Sequence, residues 1–541
     1  MLIDTRAEET GTVVEADVCI VGGGLAGITL AREFIGTPFE VCLLESGGLQ
    51  QDAETQSLDA GENVGYPYYP LETARARCFG GSSTLWHTLL GDHTVGARMR
   101  PLDPIDFEER DWVPFSGWPF RRCDLESYYE RAQALSQIGP ASYDVQDWAD
   151  PDRRPTAPLG GADVETIVYK VCRQDLFARG YRGEVSRAEN VTTCLHANVL
   201  EIEVNDMVDH VGRLRAATLK GNQLFVNAKI YVLAAGGIET PRLMLLSNRQ
   251  QPAGLGNQHD LVGRFFMEHL HFWSGMVVPP EAHRFDRTAF YNDVHTVNDV
   301  SVIGKLALAE KVLRREKLLN QNIQLMPSRR PNPFKYRRLN EKPKNSLKAL
   351  LRGTATDIGA DLRNVVTGWD DIVRAVARRM RGELPTRPVY IFANMTEQVP
   401  NPESRITLGH DLDAFGQRRA RLDWKIAPQD ISSVIRTQEI IGSALQKIGW
   451  GEFYRDLVEA VPPEGTHGGY HHMGTTRMHA DPKQGVVDPN CRVHGIDNLF
   501  IAGPSVFPTG GYANPVLTTL ALSLRTADHV KRVLATSRMA A

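Results

Sequence analysis

Apolar residues along this chain follow three patterns. The first is the short continuous run that ends in glycine. Asp17-Val18-Cys19-Ile20-Val21 enters the turn Gly22-Gly23-Gly24, an apolar-periodic helix follows, and Val41-Cys42-Leu43-Leu44 closes on Glu45. Runs of this kind are strands buried on both faces, so residues 12–48 read as a β-α-β unit. The pattern returns at Ile230-Tyr231-Val232-Leu233-Ala234-Ala235-Gly236-Gly237. There it predicts a strand and then a helix over 239–246, with Pro241 in the first turn, where its missing N–H costs nothing. It returns again at Leu499-Phe500-Ile501-Ala502, before a helix over 515–524 with Asn514 as N-cap and Pro515 at the first helical position. Further strands are expected over 190–235, among them 190–195 and 197–204.

The second pattern is alternation. Residues 389–393, 405–408 and 420–424 alternate apolar and polar side chains, as antiparallel strands do. An antiparallel sheet within an otherwise parallel α/β chain marks a second domain. The third pattern is polar and rich in glycine and proline: residues 49–76 and 141–165 read as loops. Helices are expected from Asp124, as N-cap, and over 428–449.

Length supports the division, because 541 residues exceed what one core organises. The expected division gives 1–100, 186–270 and 465–541 to a dinucleotide-binding domain. It gives 101–185 and 271–464 to a substrate domain with a basic insertion at about 310–385. The net charge of -4 gives no argument for nucleic acid or an anionic membrane. No stretch approaches the roughly 20 apolar residues of a membrane span. The N-terminus has neither a basic-then-apolar leader nor a twin arginine, so a cytoplasmic location is expected. Seven scattered cysteines imply no disulfide framework, and no metal site is expected. The basic insertion holds Arg329-Arg330, Arg337-Arg338 and an amphipathic pattern over 371–378. It suits a lid, an oligomer contact or an acidic partner better than nucleic acid, and oligomerisation is left open.

Candidate chemistry begins at Gly22-x-Gly24-x-x-Gly27. Gly22 permits the tight turn, Gly24 lets backbone approach a pyrophosphate, and Gly27 lets helix and strand pack closely. The pyrophosphate would sit on the helix N-terminus. Glu45, 18 residues beyond Gly27, has the spacing of an acid that holds a ribose hydroxyl. Arg77-Cys78-Phe79-Gly80-Gly81-Ser82-Ser83-Thr84-Leu85-Trp86 groups bare N–H groups and hydroxyls, as a phosphate or flavin contact needs and as a plain loop also does. The densest polar cluster is Thr466-His467-Gly468-Gly469-Tyr470-His471-His472-Met473-Gly474-Thr475, followed by Gly510-Gly511-Tyr512-Ala513-Asn514-Pro515-Val516.

These segments, with Val262-Gly263-Arg264-Phe265-Phe266-Met267-Glu268-His269 and residues 116–129 and 397–408, resemble the glucose–methanol–choline (GMC) oxidoreductase family over nearly the whole chain. The resemblance implies an α/β fold: a Rossmann-like FAD-binding domain and a mostly antiparallel substrate domain, like p-hydroxybenzoate hydroxylase. It implies bound FAD and oxidation of an alcohol, with His471 as base and Asn514 as its partner. His472, at the variable position, is the lesser alternative. It assigns cofactor contacts to Gly22, Gly24, Gly27, Glu45, Arg77, Gly80, Gly81, Ser82, Thr84, Val199, Ser505, Pro515 and Val516. Asn514 and Gly503 are similar to the pyranose oxidase branch, which includes bacterial sugar and glycoside 3-oxidases. That branch implies oxidation of a secondary sugar hydroxyl, at C3 to a 3-keto sugar or at C2, with hydride passing to flavin N5 and then to oxygen or another acceptor. The alternatives are a non-sugar alcohol and a redox-silent lyase. Fungal pyranose oxidases tether FAD through a histidine where this chain has Leu85, so noncovalent FAD is expected.

Overall fold

A computed structural model describes residues 1–90, 95–150, 154–160, 163–280, 289–328 and 389–540. The opening unit is the strand Thr12–Val21, the helix Leu25–Glu33 and the strand Val41–Leu44. The two strands are parallel, with Val18 opposite Val41 and Val21 opposite Leu44. Val191–Leu195 adds in parallel beyond Val41–Leu44, and Leu2–Asp4 beyond that. Gln223–Leu233 lies parallel on the other side of Thr12–Val21 and pairs in turn with Leu499–Ile501. Two antiparallel strands, Val211–Ala217 and Asn198–Val204, complete this eight-stranded sheet. Both fall within the stretch 190–235 expected to form strands.

The second sheet has nine strands and is antiparallel. Its order is Glu452–Tyr454, Leu270–Val278, Val389–Thr396, Gln321–Ser328, Val300–Leu308, Val164–Arg173, Val95–Met99, Thr88–Leu89, with His295–Val297 beside Val300–Leu308. A third sheet pairs Arg405–Leu412, Arg418–Asp423 and Gly61–Asn63. The fold is therefore mixed α/β, as expected. Strands at 88–99 already belong to the second sheet, ahead of the expected division at residue 100.

Four local expectations are corrected. The alternating segments at 388–424 do not form one sheet: Val389–Thr396 joins the large sheet and the other two the small one. Periodicity reports which face a strand buries, not which partner it finds. The stretch 49–76 is not all loop, because Gly61–Asn63 pairs in parallel with Arg418–Asp423. Asp124 is not a helix N-cap; it lies within the 3-10 turn Arg122–Leu125, where its carboxylate accepts the Arg121 N–H. Pro241 is not in a first turn, since its helix, Gly236–Leu246, begins five residues before it. The carbonyl that an N–H at position 241 would bond is that of Gly237, and the Thr475 hydroxyl donates to it at 2.7 Å. A side chain from the tail thus offsets the loss that an internal proline causes.

The final helix, Val516–Ala540, outruns the expected 515–524. Leu517, Leu520, Leu524, Ala527, Val530 and Leu534 continue a buried stripe along it. Most of the basic insertion, including 371–378, lies outside the described residues. Among the described residues no helix is long and apolar enough to cross a membrane.

Candidate functional site

One cavity of about 690 Å³ runs from the first glycine turn to the tail. That volume falls within the range of cofactor and ligand sites, roughly 300–1,000 Å³. At one end stand Gly22 and Gly24. Gly22 has φ +110°, and a Cβ there would meet the Ala234 carbonyl oxygen at 2.6 Å, so only glycine makes this turn. Gly24 is the N-cap of helix Leu25–Glu33 and no side chain caps it. Its added Cβ would come no nearer to the protein than Gly81 Cα at 3.9 Å. Bare backbone and a helix start with no side-chain cap therefore border the cavity, which suits an anionic pyrophosphate. Gly27 serves packing instead: a Cβ there would lie 1.9 Å from the Gly22 carbonyl oxygen.

Glu45 ends its strand at the cavity wall. Its Oε2 accepts the Gly23 N–H at 2.8 Å and its Oε1 the Gly47 N–H at 2.8 Å. Burial raises its pKa above the ordinary value. Arg77 lines the cavity too, but its guanidinium is held by Asp59 and Glu239, both at 2.6 Å. Gly81, Ser82, Val199, Pro515 and Val516 also lie on the wall. Gly80, Thr84 and Ser505 do not line it: the Thr84 hydroxyl donates to the Gly81 carbonyl, and Ser505 Oγ accepts the Thr476 hydroxyl.

His471 and Asn514 stand together on the wall towards the other end. Asn514 Nδ2 lies 3.0 Å from His471 Nε2. His471 Nδ1 lies 2.9 Å from His269 Nδ1, and His269 Nε2 lies 3.2 Å from the Gly510 carbonyl oxygen. A carbonyl only accepts, so His269 Nε2 carries a proton. Burial holds the His269 pKa down to about 4, so the ring is neutral and its Nδ1 is an acceptor. His471 Nδ1–H then donates to it, leaving His471 Nε2 with a bare lone pair that accepts from Asn514 Nδ2–H. Burial also lowers the His471 pKa well below 6.5, with the neighbouring His269 ring and the Arg98 charge next. Asn514 Oδ1 is buried without a partner among the described residues and caps no helix N–H; the helix begins at Val516, with the Pro515 carbonyl accepting from Thr519. The N-cap expectation for Asn514 is thus replaced by this contact with His471.

His472 is engaged elsewhere. The Tyr68 hydroxyl gives its proton to Glu268, so it must accept from His472 Nε2–H at 2.9 Å. The other Glu268 oxygen accepts the Gly469 and His471 N–H groups, both at 2.9 Å. Burial raises Glu268 to about 7 and lowers His472 to about 3. Glu268 and Tyr68 thus fix the backbone of the 469–472 turn. Sequence reading named none of Tyr68, Glu268 and His269 as site residues. The signal was present: Glu268-His269 is a charged and polar pair inside the apolar run Phe265-Phe266-Met267 to Leu270.

The glycine-lined end, the length of the cavity and the Asn514 oxygen without a partner among the described residues fit a dinucleotide. Residues 400–523 match the family model for GMC oxidoreductase, and residues 17–257 match that for FAD dependent oxidoreductase. The chain is 25% identical to 2-methyl-1,2-propanediol dehydrogenase of Mycolicibacterium austroafricanum, across 97% of this chain and 96% of that protein. It is 33% identical to C-glycoside 3-oxidase of Microbacterium trichothecenolyticum, over 22% of each chain. Its fold is similar to that of formate oxidase from Aspergillus oryzae, with TM-score 0.53, 16% identity and coverage of 97% and 99%.

Proposed function

Because this chain is an FAD-dependent oxidoreductase of the GMC family acting on CH–OH groups, we propose that it oxidises a secondary hydroxyl of a sugar or glycoside, at C3 or C2, with His471 as the base. The observation that carries this reading is the His471–Asn514 pair on the cavity wall, with a proton-free Nε2 facing an amide. FAD, when bound, supplies the acceptor for the substrate's hydride. His471 Nε2 takes the hydroxyl proton, and Asn514 Nδ2–H steadies the oxygen as it gains charge. The Nδ1–H···His269 bond keeps the lone pair on the correct nitrogen throughout.

In the same reading, Gly22, Gly24 and the helix start at Leu25 hold the pyrophosphate, Glu45 the ribose and Val199 the adenine side. Leu85 cannot form a covalent flavin bond, so FAD is held noncovalently. The substrate is a small molecule, and oxygen or another acceptor reoxidises the flavin.

The sugar reading is supported by Asn514 and Gly503 and by the similarity to C-glycoside 3-oxidase. A second reading, a non-sugar alcohol, is favoured by the full-length similarity to 2-methyl-1,2-propanediol dehydrogenase. Anaerobic flavin bleaching against monosaccharides, O-glycosides, C-glycosides and simple diols tests both. Bleaching by diols alone moves the substrate to the second reading. A substrate consumed while the flavin stays oxidised refutes oxidation outright.

A further inference from the structure

The register of the large sheet sets which side chains share the face that carries His271 to the cavity. Val171 is opposite Arg98, Ile167 opposite Lys305, Asn322 opposite Ala307 and Met395, and His271 opposite Met395. With a side-chain period of two, Arg98, Tyr169, Lys305, Asn322, Gln324 and His271 lie on one face. Of these, Arg98 and His271 line the cavity.

Arg98 is poorly served there. Among the described residues its one side-chain hydrogen bond runs 3.4 Å to the neutral amide oxygen of Gln324, and its buried Nε has no partner. No carboxylate among the described residues forms an ion pair with it. Lys305, buried on the same face, donates to Asn322 Oδ1 at 2.8 Å, and burial, with the Arg98 charge next, lowers its pKa well below the ordinary value. Other arginines differ. Arg110 holds Glu397, while Arg75, Arg77 and Arg242 share Asp59, Glu239 and Asp413. Arg477 also lacks an acid, but it donates to the Phe115 carbonyl, stacks on Phe265 and lies off the cavity. Arg98 is half-buried on the cavity wall, and a guanidinium there without a counter-charge is open to an anion, whose carboxylate its planar fork matches through two parallel bonds.

We propose that Arg98 is an anion subsite of the substrate cavity, and that the sugar or glycoside oxidised at His471 carries a carboxylate, as a uronic acid or uronide does. This rests on the sugar reading above. The shared chemistry is a planar anion at the guanidinium, and the flavin ring is the second source of one. The substrate is favoured because Arg98 stands on the sheet face with His271 and Gln324, away from the glycine cradle and helix starts that suit the cofactor.

The test uses holoenzyme and anaerobic stopped-flow reduction with methyl β-D-glucoside and methyl β-D-glucuronide. Wild type favours the glucuronide by about 10- to 100-fold, the worth of a charge-assisted hydrogen bond. Arg98→Met removes that preference, read as the ratio of the glucuronide rate to the glucoside rate in the same variant, because the Arg98 charge also bears on His471 and either rate alone shifts with it. Arg98→Gln replaces it if the methionine variant fails to hold FAD. No preference in wild type, or equal losses on both sugars in the variant, overturns the proposal. A weakened affinity of the oxidised flavin for sulfite in Arg98→Met, with sugar discrimination intact, assigns the anion to the cofactor and also overturns it. If neither sugar bleaches the flavin, the sugar reading fails by itself. Acetate inhibition of whichever alcohol does bleach it then decides: competitive inhibition relieved by Arg98→Met supports the subsite, and its absence in wild type overturns it.

Discussion

His269 offers the sharpest test of the proposed base. Its ring touches His471 rather than the cavity's contents, so it acts by position. His471 Nδ1–H donates to His269 Nδ1 at 2.9 Å in a buried setting. His269→Leu removes the acceptor and leaves a buried N–H unpaired, which costs about 1–3 kcal/mol. The ring can escape that cost by moving its proton to Nε2, but then no lone pair faces the substrate. Either way the transition state loses about that energy, so flavin reduction slows by about 5- to 150-fold. Substrate affinity changes little, because the hydroxyl's binding contacts remain. His269→Asn places an amide oxygen near the position of Nδ1 and restores the acceptor. Single-turnover reduction, followed by flavin absorbance over a range of substrate concentrations, separates rate from affinity. Equal rates in wild type and His269→Leu refute the reasoning. Equal losses in His269→Asn and His269→Leu do so too, since volume rather than the acceptor would then matter.

Further outcomes follow from the same geometry. His471→Ala retains FAD but loses flavin reduction by about 10²- to 10⁴-fold, the range for a general base; near-normal reduction moves the base to His472. Acid precipitation releases free FAD to the supernatant, and flavin that stays with the pellet contradicts the Leu85 argument. The folded pKa values of His269, about 4, and His472, about 3, lie below the ordinary 6.5, with His471 shifted the same way. Their unfolded forms bind protons first, so their contribution to stability is complete above about pH 6.5 and is lost as pH falls towards 4 and 3. Glu268, raised to about 7, has the opposite sign: its contribution is present below its ordinary 4.5 and is lost as pH rises through 7. Melting temperature measured between pH 4 and 7 should fall towards acid, and fall less in His269→Asn. Gly22→Val puts a branched Cβ against the Ala234 carbonyl at a positive φ; the purified protein should lack yellow colour, which absorbance at the flavin band checks.

Much of the cofactor half is legible because its signals are local. A glycine turn between two continuous apolar runs has few other uses, and residues 12–45 fold as their pattern predicts. Helix ends are less legible. Pro241 reads as a first-turn residue, yet it is internal because the Thr475 hydroxyl, 234 positions later, takes over a carbonyl. Strand partners are less legible still, as the split of Val389–Thr396 from Arg405–Leu412 shows.

By itself, the sequence determined the dinucleotide cradle, the α/β class and the motif that makes His471 and Asn514 candidates, because each depends on spacing within one short segment. Only the tertiary structure decided which nitrogen of His471 is bare, because the deciding contacts come from His269 and Gly510, far apart in the chain. It likewise tied His472 to Tyr68 and Glu268, and left Arg98 on the cavity without an acid among the described residues. Proton positions and unpaired charges are properties of neighbours, and neighbours are set by how the sheets and the tail close on one another.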